Sequence, residues 1–183
     1  MASRYDDELW ELVPADPGPP PAHLVAFVRG LGQARRALDL GCGDGRLSAE
    51  LGTSELTAAD VSAVALDRAR PRLPGARLVE LEPDDPLPLD DAAFDLVLCA
   101  ETIEHVRDVQ LLLSEIRRVL RPGGTLALTT PANLPIGPRP DPLSPHLRQF
   151  TRRSLSRVLT ELGFEVESMR RRSGTLLAVA RRP

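Results

Sequence analysis

The chain has 183 residues, of which 42% are hydrophobic and 27% are charged, and this composition is typical of one folded domain with its own core. The two cysteines form no CxxC pair, which argues against a structural zinc site and against a disulfide framework. The net charge of −3 is unevenly spread, because residues 1–110 carry 21 acidic side chains and 10 arginines, whereas residues 111–183 carry 5 and 13. The basic C-terminal third favours either an anionic substrate or simply a solvated, arginine-rich surface.

The first 22 residues form an N-terminal segment that we separate from a domain at 23–183. Residues 1–13 are acidic with a weak helical period, and Pro14–Pro21 is too rich in proline for a helix or a central strand. We predict an extended linker, preceded by a segment whose Tyr5 and Trp10 either close over the functional site as a lid or pack on the surface. The N-terminus is polar and no apolar run approaches the ~18 residues of a membrane span. We therefore predict a cytoplasmic protein without a membrane partner.

A glycine-rich stretch at 37–47 (Ala-Leu-Asp-Leu-Gly-Cys-Gly-Asp-Gly-Arg-Leu) overlaps the first predicted strand, Arg36–Leu40. Three glycines at alternate positions permit positive φ angles and close approach of a ligand. The pattern at Leu47–Leu51 predicts that a helix continues after them, and a strand, glycine turn and helix in succession favour a nucleotide-like ligand. Asp39 and Asp44 disfavour a pyrophosphate and favour a ligand that carries positive charge.

Helices and strands alternate along the rest of the chain. The predicted helices are His23–Leu31, Ser62–Arg70, Asp108–Arg121 and Thr151–Leu162. The further predicted strands are Leu56–Asp60, Ala76–Leu81, Phe94–Cys99, Thr125–Thr130, Phe164–Met169 and Thr175–Ala180, and proline-rich loops are predicted at Glu82–Asp91 and Pro131–Pro145. This order predicts an α/β three-layer sandwich with a mostly parallel sheet and an antiparallel edge.

Polar residues lie at the carboxyl ends of consecutive predicted strands. Asp60 ends the second strand, where a carboxylate can accept hydrogen bonds from ribose hydroxyls; alternatively, it caps the next helix. The acidic loop Glu82–Asp85 follows the third strand, where an adenine amino group could be bound, and Cys99–Glu101 ends the fourth. Ligands of open α/β sheets bind beyond the carboxyl ends of the strands, so we expect one nucleotide site there.

Together these motifs resemble those of class I S-adenosylmethionine-dependent methyltransferases. The matching segments are 38–45, 59–62, 94–97, 104–106, 118–124, 129–131 and 162–164. The resemblance implies a Rossmann-like sheet of seven strands with the last strand antiparallel, and S-adenosylmethionine as cofactor. The expected cofactor contacts are Asp39, Gly41, Cys42, Gly43, Asp60, Val61, Glu82, Asp84, Ala100 and Glu101. The family often has one Asp soon after the third strand, so the choice between Glu82 and Asp84 for adenine stays open.

His105 is the candidate catalytic base, beside Glu104, because an imidazole titrates near neutral pH. Alternatively, it orients a loop through hydrogen bonds. If residues 101–105 are helical, Glu101, Glu104 and His105 share one face and, with His146, could bind a divalent ion such as Mg²⁺ or Mn²⁺. This pattern resembles the metal site of small-RNA 3′-end 2′-O-methyltransferases, whereas metal-independent relatives also carry Glu-His-Val here.

We therefore predict a methyltransferase that acts on an oxygen or nitrogen nucleophile of a small molecule, as a monomer or homodimer. The alternative is a metal-dependent RNA 2′-O-methyltransferase, which the basic C-terminal third favours and the aromatic content of 3% disfavours. A third hypothesis is a cofactor-binding partner without catalytic activity, which the intact glycine turn and Asp60 disfavour.

Overall fold

A computed structural model describes residues 2–132 and 146–183, with side chains from residue 5 onward. The helices are α1 (Ala2–Leu12), α2 (Ala22–Arg29), α3 (Ala63–Ala69), α4 (Val109–Val119) and α5 (Arg152–Glu161). The strands are β1 (Gln33–Leu40), β2 (Gly52–Asp60), β3 (Arg77–Glu80), β4 (Phe94–Ala100), β5 (Leu120–Pro131), β6 (Glu165–Arg172) and β7 (Thr175–Arg181). The predicted loop Pro131–Pro145 lies almost wholly outside the described residues.

The strands of the described chain form one sheet of seven in the order β3-β2-β1-β4-β5-β7-β6. Strands β1 to β5 are parallel to one another, and β7 is antiparallel to both β5 and β6. Ser173 and Gly174 join β6 to β7 with φ angles of 50° and 86°, as a two-residue hairpin requires. The predicted sheet, mostly parallel with its last strand antiparallel, is confirmed.

Helices cover both faces of the sheet, because successive side chains of each strand point to opposite sides. On one face Leu38 and Val97 pack with Leu113 of α4 and Leu155 of α5. On the other face Ala37 packs with side chains of β4 and with α2, and the buried side of α3 packs on β2. The fold is therefore the three-layer sandwich that the alternation of elements predicts.

Three of the helices begin at residues whose side chains accept a backbone N–H. Ser62 Oγ accepts from the amide of Ala65 at 3.1 Å and begins α3, as the sequence predicts. Asp108 accepts from the amide of Leu111 at 2.9 Å and begins α4, and Thr151 begins α5 with a capping box. Because these helices follow parallel strands, their N-termini lie at the carboxyl edge of the sheet.

The prediction of a helix after the glycine turn is wrong. Only a single 3₁₀ turn, Ser48–Glu50, separates the glycines from β2, which already begins at Gly52. Six residues are too few for a stable α-helix, and Ser48 is bound through its hydroxyl to Asp39. The polar first halves of β1 and β2 pair in register from Gln33 opposite Gly52, so both strands begin earlier than their apolar residues predict.

Pro122-Gly123-Gly124, which lie between the predicted helix Asp108–Arg121 and the predicted strand Thr125–Thr130, fall within β5. This strand begins at Leu120, so α4 ends sooner than expected. The pairing between β4 and β5 is irregular here, with a register shift between Phe94 and Leu96. At this irregularity the two glycines lie within β5, and the strand continues beyond them.

Candidate active site

A cavity of about 510 Å³ lies at the carboxyl edge of the sheet. Its walls come from α1, from the ends of β1 and β2, and from the segments that follow β3 and β4. This volume falls in the range of about 300–1,000 Å³ that is usual for small-ligand sites. The position beyond the strand ends is the one expected from the sequence for a nucleotide site.

The glycine turn has a backbone that tolerates no larger residue at two positions. Gly41 has φ +76° and Gly43 has φ +55°, both in the left-handed region. A Cβ atom at Gly41 would overlap the side chain of Thr102, and one at Gly43 would lie 2.7 Å from the indole of Trp10. The amides of Gly41 and Cys42 donate to the carbonyl of Ala59 at 2.8 and 3.0 Å, which fixes the turn against β2. The turn is thus a rigid floor of the cavity.

Asp60 lies where β2 reaches the cavity, and two backbone amides orient its carboxylate. Oδ2 accepts from the amide of Gly43 at 2.8 Å, and Oδ1 accepts from the amide of Ser62 at 3.0 Å. Burial raises the pKa of Asp60, and the hydrogen bonds from Ser62 and Gly43 oppose that rise. Asp60 therefore does not cap α3, since Ser62 does so, and its carboxylate faces the cavity already positioned.

Asp39 and Cys42 lie beneath the turn and do not line the cavity. Asp39 is 2% exposed and accepts a hydrogen bond from Ser48 Oγ at 2.5 Å. Burial raises the pKa of Asp39 to about 7 despite that hydrogen bond. Cys42 is also buried, and burial raises the pKa of its thiol, which makes it an inert packing residue. Asp44, 5% exposed, is held by Arg46 and Arg72, each at 3.0 Å, and so does not offer its charge to a ligand.

The other expected cofactor contacts divide in the same way. Val61, Glu82, Asp84 and Glu101 line the cavity together with Gly41, Gly43 and Asp60, whereas Ala100 is not among the lining residues. Both candidates for adenine, Glu82 and Asp84, therefore remain at the cavity wall.

Helix α1 covers the glycine turn through contacts that the sequence did not reveal. Asp7 accepts hydrogen bonds from Ser62 Oγ at 2.6 Å and from the amide of Val64 at 3.2 Å. Arg68 donates to the carbonyl of Val13 at 2.9 Å, and its guanidinium carbon lies 5.9 Å from the centre of the Trp10 ring. These contacts connect α1 to α3 and place Tyr5, Asp6, Leu9 and Trp10 at the cavity wall.

The segment after β4 is a turn and not the helix on which the predicted metal face depended. Glu101 has φ +52°, and its carboxylate accepts a hydrogen bond from Thr129 Oγ1 at 2.8 Å. Its amide also donates to the carbonyl of Thr129 at 3.0 Å. These contacts hold Glu101 against β5 at the end of the strand, so Glu101 and Glu104 do not share a helix face.

Glu104, His105 and His146 form a cluster in which the possible metal-ligand atoms lie within 4.8 Å of one another. Glu101 is outside this cluster. Glu104 is 1% exposed, and its Oε2 accepts from Thr130 Oγ1 at 2.9 Å. Within the described residues its Oε1 has no hydrogen-bond partner and lies 3.9 Å from His105 Nε2. Burial raises the pKa of Glu104 to about 7.

The rings of His105 and His146 pack edge to face with centroids 5.0 Å apart. The donor set of one carboxylate and two imidazoles suits a divalent transition metal.

Comparisons with known proteins give this site a family. Residues 38–128 match a family model described as a methyltransferase domain. A Mycobacterium tuberculosis protein named a probable S-adenosylmethionine-dependent methyltransferase is 33% identical over 136 residues, which is 72% of this chain and 49% of that protein. The chain belongs to the class I S-adenosylmethionine-dependent methyltransferases. A Mycolicibacterium smegmatis protein of the same name is 43% identical over 83 residues, which is 44% of this chain and 32% of that protein.

Solved structures support the assignment of the fold. An S-adenosylmethionine-dependent methyltransferase from Mesorhizobium loti has a TM-score of 0.70 and 24% identity, covering 88% of this chain and 96% of that one. A geranyl diphosphate C-methyltransferase from Streptomyces coelicolor has a TM-score of 0.72 and 18% identity, covering 88% and 76%. The predictions of family, enzyme class and S-adenosylmethionine as cofactor are confirmed, and methyltransferases of this fold are not restricted to oxygen or nitrogen acceptors.

The wall of the cavity is predominantly acidic, which suits a cationic ligand. Its acidic lining residues are Asp6, Asp60, Glu82, Asp84, Asp85, Glu101, Asp108 and Glu115, whereas Arg107 is the single arginine among the described lining residues. A sulfonium ligand with an ammonium group carries net positive charge, so this wall attracts it. In the described part of this methyltransferase the longest helices have 11 residues, and none is long and apolar enough to span a bilayer.

Proposed function

We propose that the chain transfers the methyl group of S-adenosylmethionine to an oxygen or nitrogen atom of a small molecule. The observation that carries this proposal is the acidic cavity in which the glycine turn, the Asp60 carboxylate and the turn after β4 meet. The chain spans about half the length, or less, of its curated relatives. The activity and the methyl acceptor of the whole protein are therefore part of the proposal.

The cofactor would be held by residues from three strand ends. Gly41 and Gly43 line the cavity through their backbone, so the methionyl part could lie against the turn once the Trp10 indole moves away from Gly43. Asp60 is oriented to accept hydrogen bonds from the ribose hydroxyls. Val61 and the acidic segment with Glu82 and Asp84 lie at the wall where the adenine would reach. When bound, S-adenosylmethionine supplies an activated methyl group and a neutral thioether leaving group.

The chain's own residues then have two tasks: to align the acceptor and to take its proton. His105 lines the cavity after β4 with its side chain 38% exposed, so it can reach both an acceptor and solvent. A neutral imidazole can accept the proton of an attacking hydroxyl group, or of an attacking neutral amine that becomes cationic as the new bond to carbon forms. Glu104, with Oε1 3.9 Å from His105 Nε2, would stabilise the resulting imidazolium. Most of the rate enhancement would come from alignment, since the methyl group is already activated.

The N-terminal segment of residues 1–22 would act as a lid on the domain at 23–183. Trp10 lies directly on Gly43, and Asp7 binds the N-terminus of α3, so α1 covers the cavity in the structure. We expect these contacts to open when the cofactor enters. Closure would exclude water from the acceptor and the methyl group.

The cluster of Glu104, His105 and His146 supports a second candidate, a metal-dependent RNA 2′-O-methyltransferase. The supporting observation is the buried Oε1 of Glu104, which has no hydrogen-bond partner among the described residues and which lies in this donor set. A divalent ion there would be held by these three residues and could lower the pKa of an acceptor hydroxyl. The exposed arginines of the C-terminal third would attract phosphates.

Metal analysis separates the two candidates. Protein purified without chelator should contain a divalent ion under the second candidate, and Glu104→Gln should abolish it. Glu101→Gln is the matched control, because Glu101 is close in sequence and outside the cluster. No ion in the wild type, and no binding of added Mn²⁺ or Mg²⁺, would exclude the metal-dependent mechanism.

A screen with radiolabelled S-adenosylmethionine tests the leading candidate. The acceptors are small hydroxyl and amine compounds, with RNA oligonucleotides alongside, and Asp60→Asn provides the background. We expect transfer to a small acceptor that the variant reduces strongly. Transfer to RNA alone would favour the second candidate, and transfer only to carbon would contradict the proposed acceptor type.

A further inference from the structure

Two segments from distant parts of the chain, one after β4 and one before α5, lie side by side at the rim of the cavity. The amide of Leu147 donates to the carbonyl of Glu104 at 2.9 Å. One residue further on, Arg148 Nη2 donates to the carbonyl of Arg107 at 2.8 Å. Leu147 and Arg107 both line the cavity. The two hydrogen bonds therefore hold a pair of arginines next to each other at the rim.

The same two segments carry the candidate base. His105 lines the cavity and precedes Arg107 by two residues, and His146 precedes Arg148 by two residues. The rings of the two histidines lie with their centroids 5.0 Å apart. The group that could take a proton from the acceptor and the pair of arginines thus belong to one rim of the cavity.

Neither arginine of the pair is neutralised by a carboxylate. Within residues 5–132 and 146–183, Arg107 and Arg148 form no ion pair, whereas Arg121, for example, is paired with Asp95. The acidic neighbour of Arg107, Asp108, directs its carboxylate to the N-terminus of α4. Arg107 is exposed and Arg148 is half-buried, so both cations can be reached by a ligand that enters the cavity.

The chemistry of the pair suits an oxyanion. One N–H group of Arg148 is used by the carbonyl of Arg107, and the other guanidinium N–H groups of the two side chains can donate to carboxylate or phosphate oxygens. The wall on which Asp60 and Glu82 lie is acidic and repels an anion. The cavity thus has an acidic wall for the cationic cofactor and a basic rim on the side of the candidate base.

We propose that Arg107 and Arg148 bind an anionic group, a carboxylate or a phosphate, of the small-molecule methyl acceptor. This inference rests on the proposed function, since it names the acceptor class of the same cavity. The anionic group is held by the arginines while a hydroxyl or amine of the same molecule reaches His105. The anionic oxygens are not themselves methylated, because hydrogen bonds from guanidinium groups make an oxygen a poorer nucleophile.

The size of the effect follows from the exposure of the two arginines. A charged contact that is partly open to solvent changes affinity by about 1.5- to 5-fold, so loss of both should weaken anion binding by about 2- to 25-fold. Added salt should reduce the difference, because exposed charges are screened by mobile ions.

The test is a nuclear magnetic resonance titration of the full chain saturated with S-adenosylhomocysteine, at constant pH and ionic strength. The probes are inorganic phosphate, acetate and acetamide, the last being the neutral isostere of acetate. The chain has three histidines, which report on the site individually. We expect phosphate, acetate or both to shift the ring signals of His105 and His146 saturably. The signal of His23, which is hydrogen-bonded to Thr175 at 3.2 Å, should stay in place, and acetamide should shift none of the three.

Three variants show which side chains bind the anion. Arg107→Gln and Arg148→Gln should each weaken the saturable shift, and the double variant should weaken it most. Arg77→Gln is the matched control, because Arg77 is exposed and begins β3 at the opposite edge of the sheet. It should bind the anions as the wild type does. In the radiolabel screen the best acceptors should be anionic, and Arg107→Gln should raise their KM with little change in kcat.

Four outcomes would overturn the inference. These are no saturable shift with either anion, equal shifts with acetamide, an unchanged double variant, and an equal loss in Arg77→Gln. Two others would assign the arginines elsewhere. A loss in Arg153→Gln, at the start of α5, as large as that in Arg107→Gln would indicate general attraction of a polyanion such as RNA. Weaker binding of S-adenosylmethionine to Arg107→Gln would indicate that the pair binds the carboxylate of the cofactor.

Failure of the proposed function is visible before any anion is added. If the wild type binds neither S-adenosylmethionine nor S-adenosylhomocysteine in calorimetry, the cofactor site itself is wrong. If it binds them and the anions do not bind, only the assignment of Arg107 and Arg148 fails.

Discussion

Replacing Asp60 with asparagine should weaken cofactor binding strongly. The carboxylate accepts one backbone amide on each oxygen, from Gly43 at 2.8 Å and from Ser62 at 3.0 Å. Asparagine retains one acceptor oxygen, and its NH₂ group faces the other amide, so one hydrogen bond is lost. The ribose hydroxyls lose a charged acceptor, and a hydrogen bond to a charged group contributes about 1.5–3 kcal/mol. We therefore expect affinity for S-adenosylmethionine to fall by about tenfold to a hundredfold.

Calorimetric titration at constant temperature measures that loss, with thermal unfolding as the measure of stability. Asp44→Asn is the matched control, because Asp44 is as buried as Asp60 and lies in the adjacent glycine turn, but it binds Arg46 and Arg72 and does not line the cavity. It should lose stability and keep its affinity for the cofactor. The reasoning is refuted if Asp60→Asn binds as tightly as the wild type, or if both variants lose affinity equally.

Three further predictions concern the glycine turn and the residues around it. Gly43→Ala should lower the free energy of unfolding by about 1–2 kcal/mol because of its φ of +55°, and it should also displace Trp10. Gly75→Ala, at φ +87° with open space around it, should show only the backbone cost. The emission spectrum of Trp10 separates the two variants, and equal spectra would contradict the contact between Gly43 and Trp10. Because Trp10 is the single tryptophan, its fluorescence in the wild type should change saturably as S-adenosylmethionine is added, and an unchanged spectrum at full occupancy would argue against a lid. Asp39 has a pKa of about 7 in the folded protein and about 3.9 when unfolded, so the folded state retains its proton and the free energy of unfolding should fall as pH rises from about 4 to 7 and then level off. Asp39→Asn should remove up to about 4 kcal/mol of that fall in urea titrations, and an unchanged pH profile would contradict the assignment.

The fold was predictable because its signals are local and repeated. Apolar runs such as Phe94–Cys99 and capping residues such as Ser62 mark elements whatever their surroundings. The missing helix after the glycine turn was not predictable in this way, because its absence depends on how soon β2 begins. That start is set by pairing of polar residues with β1, and polar strand ends carry no apolar period.

The site was predictable where it is made of strand ends and not where it depends on side-chain contacts across the fold. Asp60 and the glycines follow directly from a strand, so their place at the cavity is implied by the parallel sheet. Asp39 precedes the same glycines, yet it points beneath the turn because successive residues of a strand face opposite sides. The place of α1 at the cavity wall could not be foreseen, because the weak helical period of residues 1–13 does not show where that helix docks.

The central claim is that the acidic cavity is the cofactor site, and a crystal structure of the full chain with S-adenosylhomocysteine tests it most directly. We expect the ribose hydroxyls within hydrogen-bond distance of the Asp60 carboxylate and the homocysteine part against Gly41 and Gly43. The adenine should lie between Val61 and the segment with Glu82 and Asp84. A ligand bound outside this cavity, or a cavity that stays empty at saturating ligand, would contradict the claim.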